Sequence, residues 1–240
     1  MPEKDAATFD LIGRNYYMQG DFKKASEAYE KAVALEPTNS SYEHWLGRAY
    51  GKRAETSSPL TAPGYASKTR HHFEKAVALD PRNQEAASDL FEYYLQAPGF
   101  LGGGLDKAAA IAKQIAGQDP VEGHWAKARI AEKRKEFGQA EEQLRRAAEL
   151  APQQVGRIVD LAKFFAKRGR YQESEQKFSE AERLAPGNPK LLFERASTYI
   201  RTGRNVEQAR ELLKRYLGAP LSPDDPPRLE AEKLLKEAGI

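Results

Sequence analysis

The chain has 240 residues, of which 38 are basic and 35 acidic, and its formal net charge is +3 at pH 7. Such a small excess gives little of the attraction that phosphate-binding surfaces use, so it argues against nucleic acid as the partner. The lack of cysteine excludes disulfides and thiolate metal sites. No stretch reaches the ~18 apolar residues of a spanning helix, so we expect no membrane insertion. The first ten residues lack the apolar core of a signal peptide, which leaves the localisation open: cytoplasmic as given, or exported if a signal peptide has been trimmed.

The spacing of proline indicates an internal repeat. Pro152 and Pro186 each follow an Ala-rich segment and stand 34 residues apart, which is the period of a repeat built from two helices. The beginning of the chain carries aromatic and small residues at fixed offsets before its own proline. These residues are Phe9, Ile12, Gly13, Tyr16, Ala25, Tyr29, Ala32 and Pro37.

This pattern resembles the tetratricopeptide repeat (W-x2-L-G-x2-Y, then A-x3-F, then P), with Phe9 and Ile12 where that family has Trp and Leu. The segment DLFEYYLQAPGFLGGG is similar to one in bacterial repeat proteins of this family that have no assigned activity. The resemblance implies an all-α fold, a right-handed α-solenoid of helix-turn-helix repeats. Such solenoids bind many unrelated partners, so the resemblance alone supplies no particular function.

In chain order, the pattern predicts six repeats, each with a helix A and a helix B, in a single domain of residues 1–240. Small residues at the eighth position of the repeats, such as Gly13, Gly47 and Ala162, should let helices A and B approach closely. The predicted repeats are about 6–39, 40–83, 84–120, 121–154, 155–188 and 189–220. The predicted helices are 4–19, 22–35, 40–54, 65–79, 84–96, 105–117, 122–135, 138–150, 154–168, 171–184, 188–202 and 206–217.

A last amphipathic segment, residues 225–239, is predicted to be a C-terminal capping helix. Asp225 is a suitable N-cap and is followed by proline. Leu229, Leu234 and Leu235 form an apolar stripe among charged residues. An end repeat would otherwise expose its stacking face, so a helix of this kind is expected to cover it.

Two repeats exceed 34 residues, and their extra residues fall in the same turn, between helices A and B. The insertions are 56–65 (TSSPLTAPGY) and 97–105 (APGFLGGGL). Equivalent turns of adjacent repeats emerge on one rim, where loops often carry recognition; the alternative is a tolerated surface insertion. The apolar residues in the two insertions favour an ordered, packed rim: Leu60, Tyr65, Phe100 and Leu101.

No residue pattern indicates catalysis, a cofactor or a metal. Adjacent His71 and His72 would point about 100° apart on a helix, so they are unsuited to sharing a metal ion. The glycines at 102–104 precede a helix and could cradle a phosphate, but they lack the Lys-Ser/Thr ending of a P-loop and a preceding strand. A flexible entry to the helix is the preferred interpretation.

The A helices of this family line a concave groove, and the residues at the inward positions here form a basic track with aromatic residues. Such a track suits an extended acidic segment, because arginine pairs with carboxylates and aromatic rings add apolar contact. The alternative is a merely solvated helix face. The predicted groove residues are Arg14, Tyr17, His44, Trp45, Arg48, Lys52, Trp125, Arg129, Lys133, Lys163, Lys167 and Phe193.

The sequence therefore predicts a non-enzymatic scaffold that binds an extended, acidic peptide or protein segment. Nucleic-acid binding through the basic track is the first alternative, and an accessory domain of a larger assembly is the second. The partner is expected to be a protein or peptide, and the chain is expected to be a monomer.

Overall fold

The computed structural model describes residues 5–239, and all regular elements among them are helical. The predicted all-α class is confirmed. Residues 1–4, where the first predicted helix begins, and Ile240 lie outside the described part. The described chain divides into two compact units at Arg134, which is inside the predicted fourth repeat. The prediction of a single domain over residues 1–240, with the stated repeat bounds, stays a prediction.

The first unit, residues 5–134, consists of seven α-helices and one short 3-10 helix. Consecutive helices pack against each other, and α5 also contacts α3 and α7, the first helices of the neighbouring pairs. The helices are α1 (Ala6–Met18), α2 (Phe22–Leu35), α3 (Ser40–Thr56), α4 (Ala62–Leu79), α5 (Gln84–Gln96), α6 (Leu105–Gln118) and α7 (Pro120–Arg134), with the 3-10 helix at Gly99–Leu101.

The second unit, residues 135–239, consists of six α-helices with their own buried apolar clusters. They are α8 (Phe137–Leu150), α9 (Val155–Lys167), α10 (Tyr171–Leu184), α11 (Pro189–Thr202), α12 (Val206–Gly218) and α13 (Arg228–Glu237). Among residues 5–239 no helix combines the length and apolar character needed to cross a membrane.

Side-chain caps explain where several helices begin. The Asn39 side chain accepts hydrogen bonds from two backbone N–H groups of α3, and Asn83 accepts one from Ala86. Each asparagine stands two residues after a proline, so the loop ends one helix and starts the next. The turn between α9 and α10 uses Gly169, whose φ of 75° is left-handed and therefore favours glycine.

Glycine at the eighth repeat position allows the close helix packing that was predicted. A β-carbon at Gly47 would lie 2.5 Å from the Phe73 ring of α4, and one at Gly13 would lie 2.7 Å from the Tyr29 ring of α2. Both rings are buried. The large residue of helix B therefore occupies the space that the missing side chain of helix A leaves.

A recurring tyrosine–glutamate hydrogen bond joins successive helices, and the sequence analysis did not predict it. The Tyr94 hydroxyl of α5 donates to Glu74 of α4 at 2.7 Å, and the Tyr199 hydroxyl of α11 donates to Glu175 of α10 at 2.7 Å. Tyr50 makes the equivalent bond to Glu30 of α2. Burial, together with the neighbouring carboxylate, raises the pKa of Tyr199 to about 12.

A buried carboxylate lies between α3 and α4. Glu43 is 0% exposed, and its oxygens contact His72 Nδ1 at 2.6 Å and Lys75 Nζ at 2.5 Å. Burial alone would raise the pKa of Glu43, but the hydrogen bonds to His72 and Lys75 outweigh it and hold that pKa below its usual value. His72 ends the basic stretch 68–72 (KTRHH), for which a solvated helix face is the plain expectation, but its ring contacts the buried acid instead.

Two predicted helix starts differ from the structure by three residues. Helix α4 starts at Ala62 rather than 65, so part of the first insertion is helical. The capping helix starts at Arg228 with Pro227 as N-cap, not at Asp225. The Asp225 carboxylate instead accepts hydrogen bonds from the backbone N–H and hydroxyl of Ser222, which closes a turn before the helix.

Candidate ligand groove

The predicted groove residues fall in both units. Nine of them belong to the first unit, and Lys163, Lys167 and Phe193 belong to the second. In the first unit the structure brings Arg14, Tyr17, Trp45 and Arg48 together, where α1 meets α3.

Four of the predicted groove side chains are buried and form core rather than an open face. Trp45 is 2% exposed, because it packs edge-on against Tyr17 of α1 and stacks with Tyr29 of α2. His44 and Phe193 are likewise buried. These rings hold the helices together, and those of Trp45 and Tyr17 also carry arginines over their faces.

Arg14 and Arg48 both lie over the Trp45 ring, with guanidinium carbons 4.7 and 4.2 Å from its centroid. Arg48 also lies 5.6 Å from the Tyr17 ring. Arg14 pairs with Asp10 one helical turn earlier at 2.9 Å. Stacking on buried rings fixes the guanidinium planes, which is the arrangement that orients arginine for carboxylates.

An acid of α5 faces these arginines. The Asp89 Oδ2 atom lies 2.8 Å from Nε2 of His44, within hydrogen-bond distance, and 3.8 Å from Nε of Arg48. The latter separation is longer than a hydrogen bond. The strong contact of Asp89 is therefore with His44, and the aromatic rings position Arg48.

Arg129 of α7 is a partly exposed ion-pair residue, and its role as a groove cation stays a prediction. Its guanidinium makes a bidentate contact with Glu92 of α5, at 2.8 and 3.2 Å, and bonds to Glu132 at 2.7 Å. Burial would lower the pKa of Arg129, but the two carboxylates raise it overall. Nearby Trp125 is partly buried against Phe91, and Lys133 is exposed in the last turn of α7.

The second unit repeats this charge pairing between its own helices. Lys163 of α9 contacts Glu194 of α11 at 2.7 Å. Phe193 packs on the Tyr216 ring with centroids 5.3 Å apart, and Lys167 is exposed at the end of α9. The basic track is thus interleaved with acids, so its net charge is lower than the basic residues alone suggested.

The first unit contains a pocket of about 380 Å³ between α1, α3, α4 and α5, which we call the α3 pocket. Arg48 and Lys52 supply cations, Glu55 and Asp89 supply acids, and Gly51 leaves space on α3. The residues that line it are Tyr17, Arg48, Gly51, Lys52, Ala54, Glu55, Ala66, Thr69, Phe73, Asp89 and Tyr93. Tyr17, Arg48 and Lys52 were predicted groove residues.

The second insertion contributes to this pocket through Tyr93. The Tyr93 hydroxyl donates to the backbone carbonyl of Leu101 at 2.9 Å, so the loop holds this ring in place. The expectation that all the apolar rim residues pack is wrong for two of them, since Leu60 is 94% and Phe100 is 82% exposed. Tyr65 does pack, stacking on Tyr50 at 6.0 Å.

The glycines at 102–104 do not present their amides outward as a phosphate cradle would. The N–H groups of Gly102, Gly103 and Gly104 donate to the carbonyls of Gly99, Pro98 and Tyr94, respectively. Within residues 5–239, no three potential ligand side chains are grouped as a metal site.

Sequence reasoning missed Gly51, Asp89 and Tyr93 as pocket residues. The sequence could have indicated Gly51, because a glycine inside a helix weakens the helix and often stands there for a packing or functional reason. Asp89 had none, since its partner His44 lies 45 residues away in sequence.

Comparisons with known proteins agree with this architecture. Two tetratricopeptide-repeat family models match, over residues 6–39 and 159–226. A tetratricopeptide repeat protein from Parabacteroides merdae aligns with a TM-score of 0.64 at 15% identity, covering 97% of this chain and 84% of that chain. The PilF protein of Pseudomonas aeruginosa aligns with a TM-score of 0.54 at 14% identity, covering 95% and 96%. Cut9–Hcn1, the APC/C hetero-tetramer, gives a TM-score of 0.56 at 14% identity, covering 98% of this chain and 43% of that chain.

No curated protein matches the chain in sequence. The repeat pattern, the helical hairpins and the family matches together identify the chain as a tetratricopeptide-repeat protein of the all-α solenoid class. Repeats of this family generally mediate protein–protein interaction.

Proposed function

We propose that this protein is a non-enzymatic scaffold whose first unit binds an extended peptide segment carrying carboxylates. The site is the α3 pocket with the adjoining Arg14. The observation that carries the proposal is the stacking of Arg14 and Arg48 on the buried Trp45 ring.

Preorganisation supports this function. An arginine whose plane is already fixed loses less side-chain entropy when it pairs with a carboxylate, and such pairs are directional and strong. Lys52 lies beside Arg48 in the pocket and contacts Glu55 at 3.0 Å. A ligand carboxylate would replace Glu55 as the partner of Lys52, or Asp89 as the acid near Arg48.

The interleaved acids favour a peptide over nucleic acid. Asp10 pairs with Arg14 on α1, and Asp89 and Glu92 of α5 lie opposite Arg48 and Arg129, respectively. A nucleic-acid backbone carries regularly spaced phosphates and would be repelled by these acids, whereas a peptide can place single carboxylates between them.

Fluorescence anisotropy with a labelled acidic nonapeptide tests the proposal. Lys52→Glu should weaken binding roughly tenfold, about 1.4 kcal/mol, because an attractive contact becomes repulsive. Lys113→Glu is the matched control, since Lys113 is exposed on α6 and lies outside the pocket. Helicity and thermal unfolding of each variant should remain near wild type.

A single-stranded oligonucleotide with the same charge as the peptide tests the alternative function, nucleic-acid binding. Between about 50 and 200 mM salt, oligonucleotide binding should weaken steeply, as binding through several phosphate contacts does. Peptide binding should weaken much less over the same range. Tighter binding of the oligonucleotide than of the peptide, or equal losses for both charge variants, would reject the proposed function.

A further inference from the structure

We propose that the α3 pocket receives one large apolar side chain of the bound segment, next to the carboxylate that Arg48 and Lys52 hold. This inference rests on the proposed function and specifies its ligand: an acidic peptide with an apolar anchor residue. The pocket volume of about 380 Å³ is in the range of 300–1,000 Å³ that small ligand sites have.

The floor of the pocket is made of small and apolar groups. Gly51 has no side chain, and a β-carbon there would meet Thr69 Cγ2 of α4 only at 3.6 Å. The Thr69 hydroxyl donates to the Tyr65 carbonyl of its own helix at 3.0 Å, so its polar atom is already satisfied. Ala54 and Phe73 complete this surface. An apolar side chain placed here would lose no hydrogen bond and would remove its own surface from water.

Both insertions adjoin residues that line this pocket. The first insertion lengthens α4 at its N-terminus, and Ala66 in its second turn lines the pocket. The second insertion holds Tyr93, the opposite aromatic wall, through the Leu101 carbonyl. The second insertion thus steadies one wall of the pocket, although neither insertion lines it.

Charge and apolar surface are combined in one place. Arg48 and Lys52 line the same pocket as the Gly51 floor, together with Asp89 and Glu55. A ligand that satisfies both features carries an acidic residue beside a leucine-like or aromatic residue. A uniformly acidic peptide would pair with Arg48 and Lys52 but would leave the apolar floor of the pocket exposed to water.

Two labelled nonapeptides test this inference by anisotropy. One is acidic with a central leucine, and the other has serine at that position. Wild type should bind the leucine peptide about tenfold more tightly, from burial of the leucine side chain. Gly51→Leu should fill the pocket, bring the ratio of the two affinities near one and leave the affinity for the serine peptide unchanged.

Gly117→Leu is the matched control, because Gly117 is also inside a helix and a β-carbon there meets no atom within 4 Å. This variant should keep the tenfold ratio. Lys52→Glu should weaken both peptides equally and leave the ratio intact.

The outcomes separate the two proposals. Equal wild-type affinities for both peptides, with both still weakened by Lys52→Glu, overturn the apolar pocket and leave the acidic-peptide function standing. Retention of the ratio in Gly51→Leu also overturns the pocket. If neither peptide binds wild type, the proposed function fails and this inference fails with it.

Discussion

Two glycines four residues apart on α3 should respond oppositely to the same substitution. At Gly47 an alanine β-carbon would lie 2.5 and 2.6 Å from two atoms of the Phe73 ring, a distance that requires helix or ring to move. At Gly51 the nearest atom, Thr69 Cγ2, is 3.6 Å away, which is an ordinary contact. The pair therefore compares a closed and an open position on one helix.

The expected change in the free energy of unfolding follows from two opposing effects. Alanine stabilises a helix interior over glycine by about 0.8–1.0 kcal/mol, and both variants gain this amount. Overpacking in a dense core costs about 1–3 kcal/mol, and Gly47→Ala alone bears that cost. Gly51→Ala should thus raise the free energy of unfolding by nearly 1 kcal/mol, and Gly47→Ala should lie 1–3 kcal/mol below it.

Urea unfolding followed by circular dichroism measures the difference from transition midpoints, with Gly117→Ala as an open-position control on α6. All three proteins should have equal slopes, so that midpoints compare directly. If Gly47→Ala and Gly51→Ala are stabilised equally, the close approach of α3 and α4 at Phe73 is refuted.

Three further predictions concern stability. Glu43→Gln should lower the free energy of unfolding by roughly 3 kcal/mol at pH 7, since it breaks a buried ion pair. Because the folded-state pKa of Glu43 lies below 4.5, the ionised carboxylate stabilises the fold above that pH, and this stabilisation is lost as the pH falls through the folded-state pKa. The difference in unfolding free energy between variant and wild type, measured by urea unfolding, should therefore narrow at low pH. A difference independent of pH would contradict the assignment. Tyr94→Phe should cost about 1–2 kcal/mol in the same assay by removing the bond to Glu74, whereas no change would show that bond to be energetically neutral. Removal of residues 222–240 should lower solubility and the Tm, because Ala231 is fully buried against the second unit's core; an unchanged Tm would show that α13 is not a cap.

Helix positions and close packing could be read from the sequence because they depend on local, repeating signals. The small residue at Gly47 and the large residue at Phe73 recur at fixed offsets, so their contact followed from the repeat. The start of the capping helix did not follow, because Asp225 has two local options and closes a turn with Ser222 instead.

The groove was predictable only in outline. Position along the helix places Trp45 near the inward face, but packing from α1 and α2 on both sides buries its ring. Pairs such as Arg129 with Glu92 join residues 37 apart, and no single-chain pattern indicates which acid reaches which cation. The sequence therefore indicated the basic residues and missed the acids that interleave with them.

Site-specific photo-crosslinking tests most directly whether the first unit binds its ligand at the α3 pocket. A benzoylphenylalanine placed at Glu55 should form an adduct with the acidic leucine peptide, whereas one placed at Lys113 on α6 should not, since only Glu55 lines the pocket. Mass spectrometry of the digested protein counts the adducts at each position. Adducts at 113 that equal or exceed those at 55 would contradict the account and move the binding surface away from the α3 pocket.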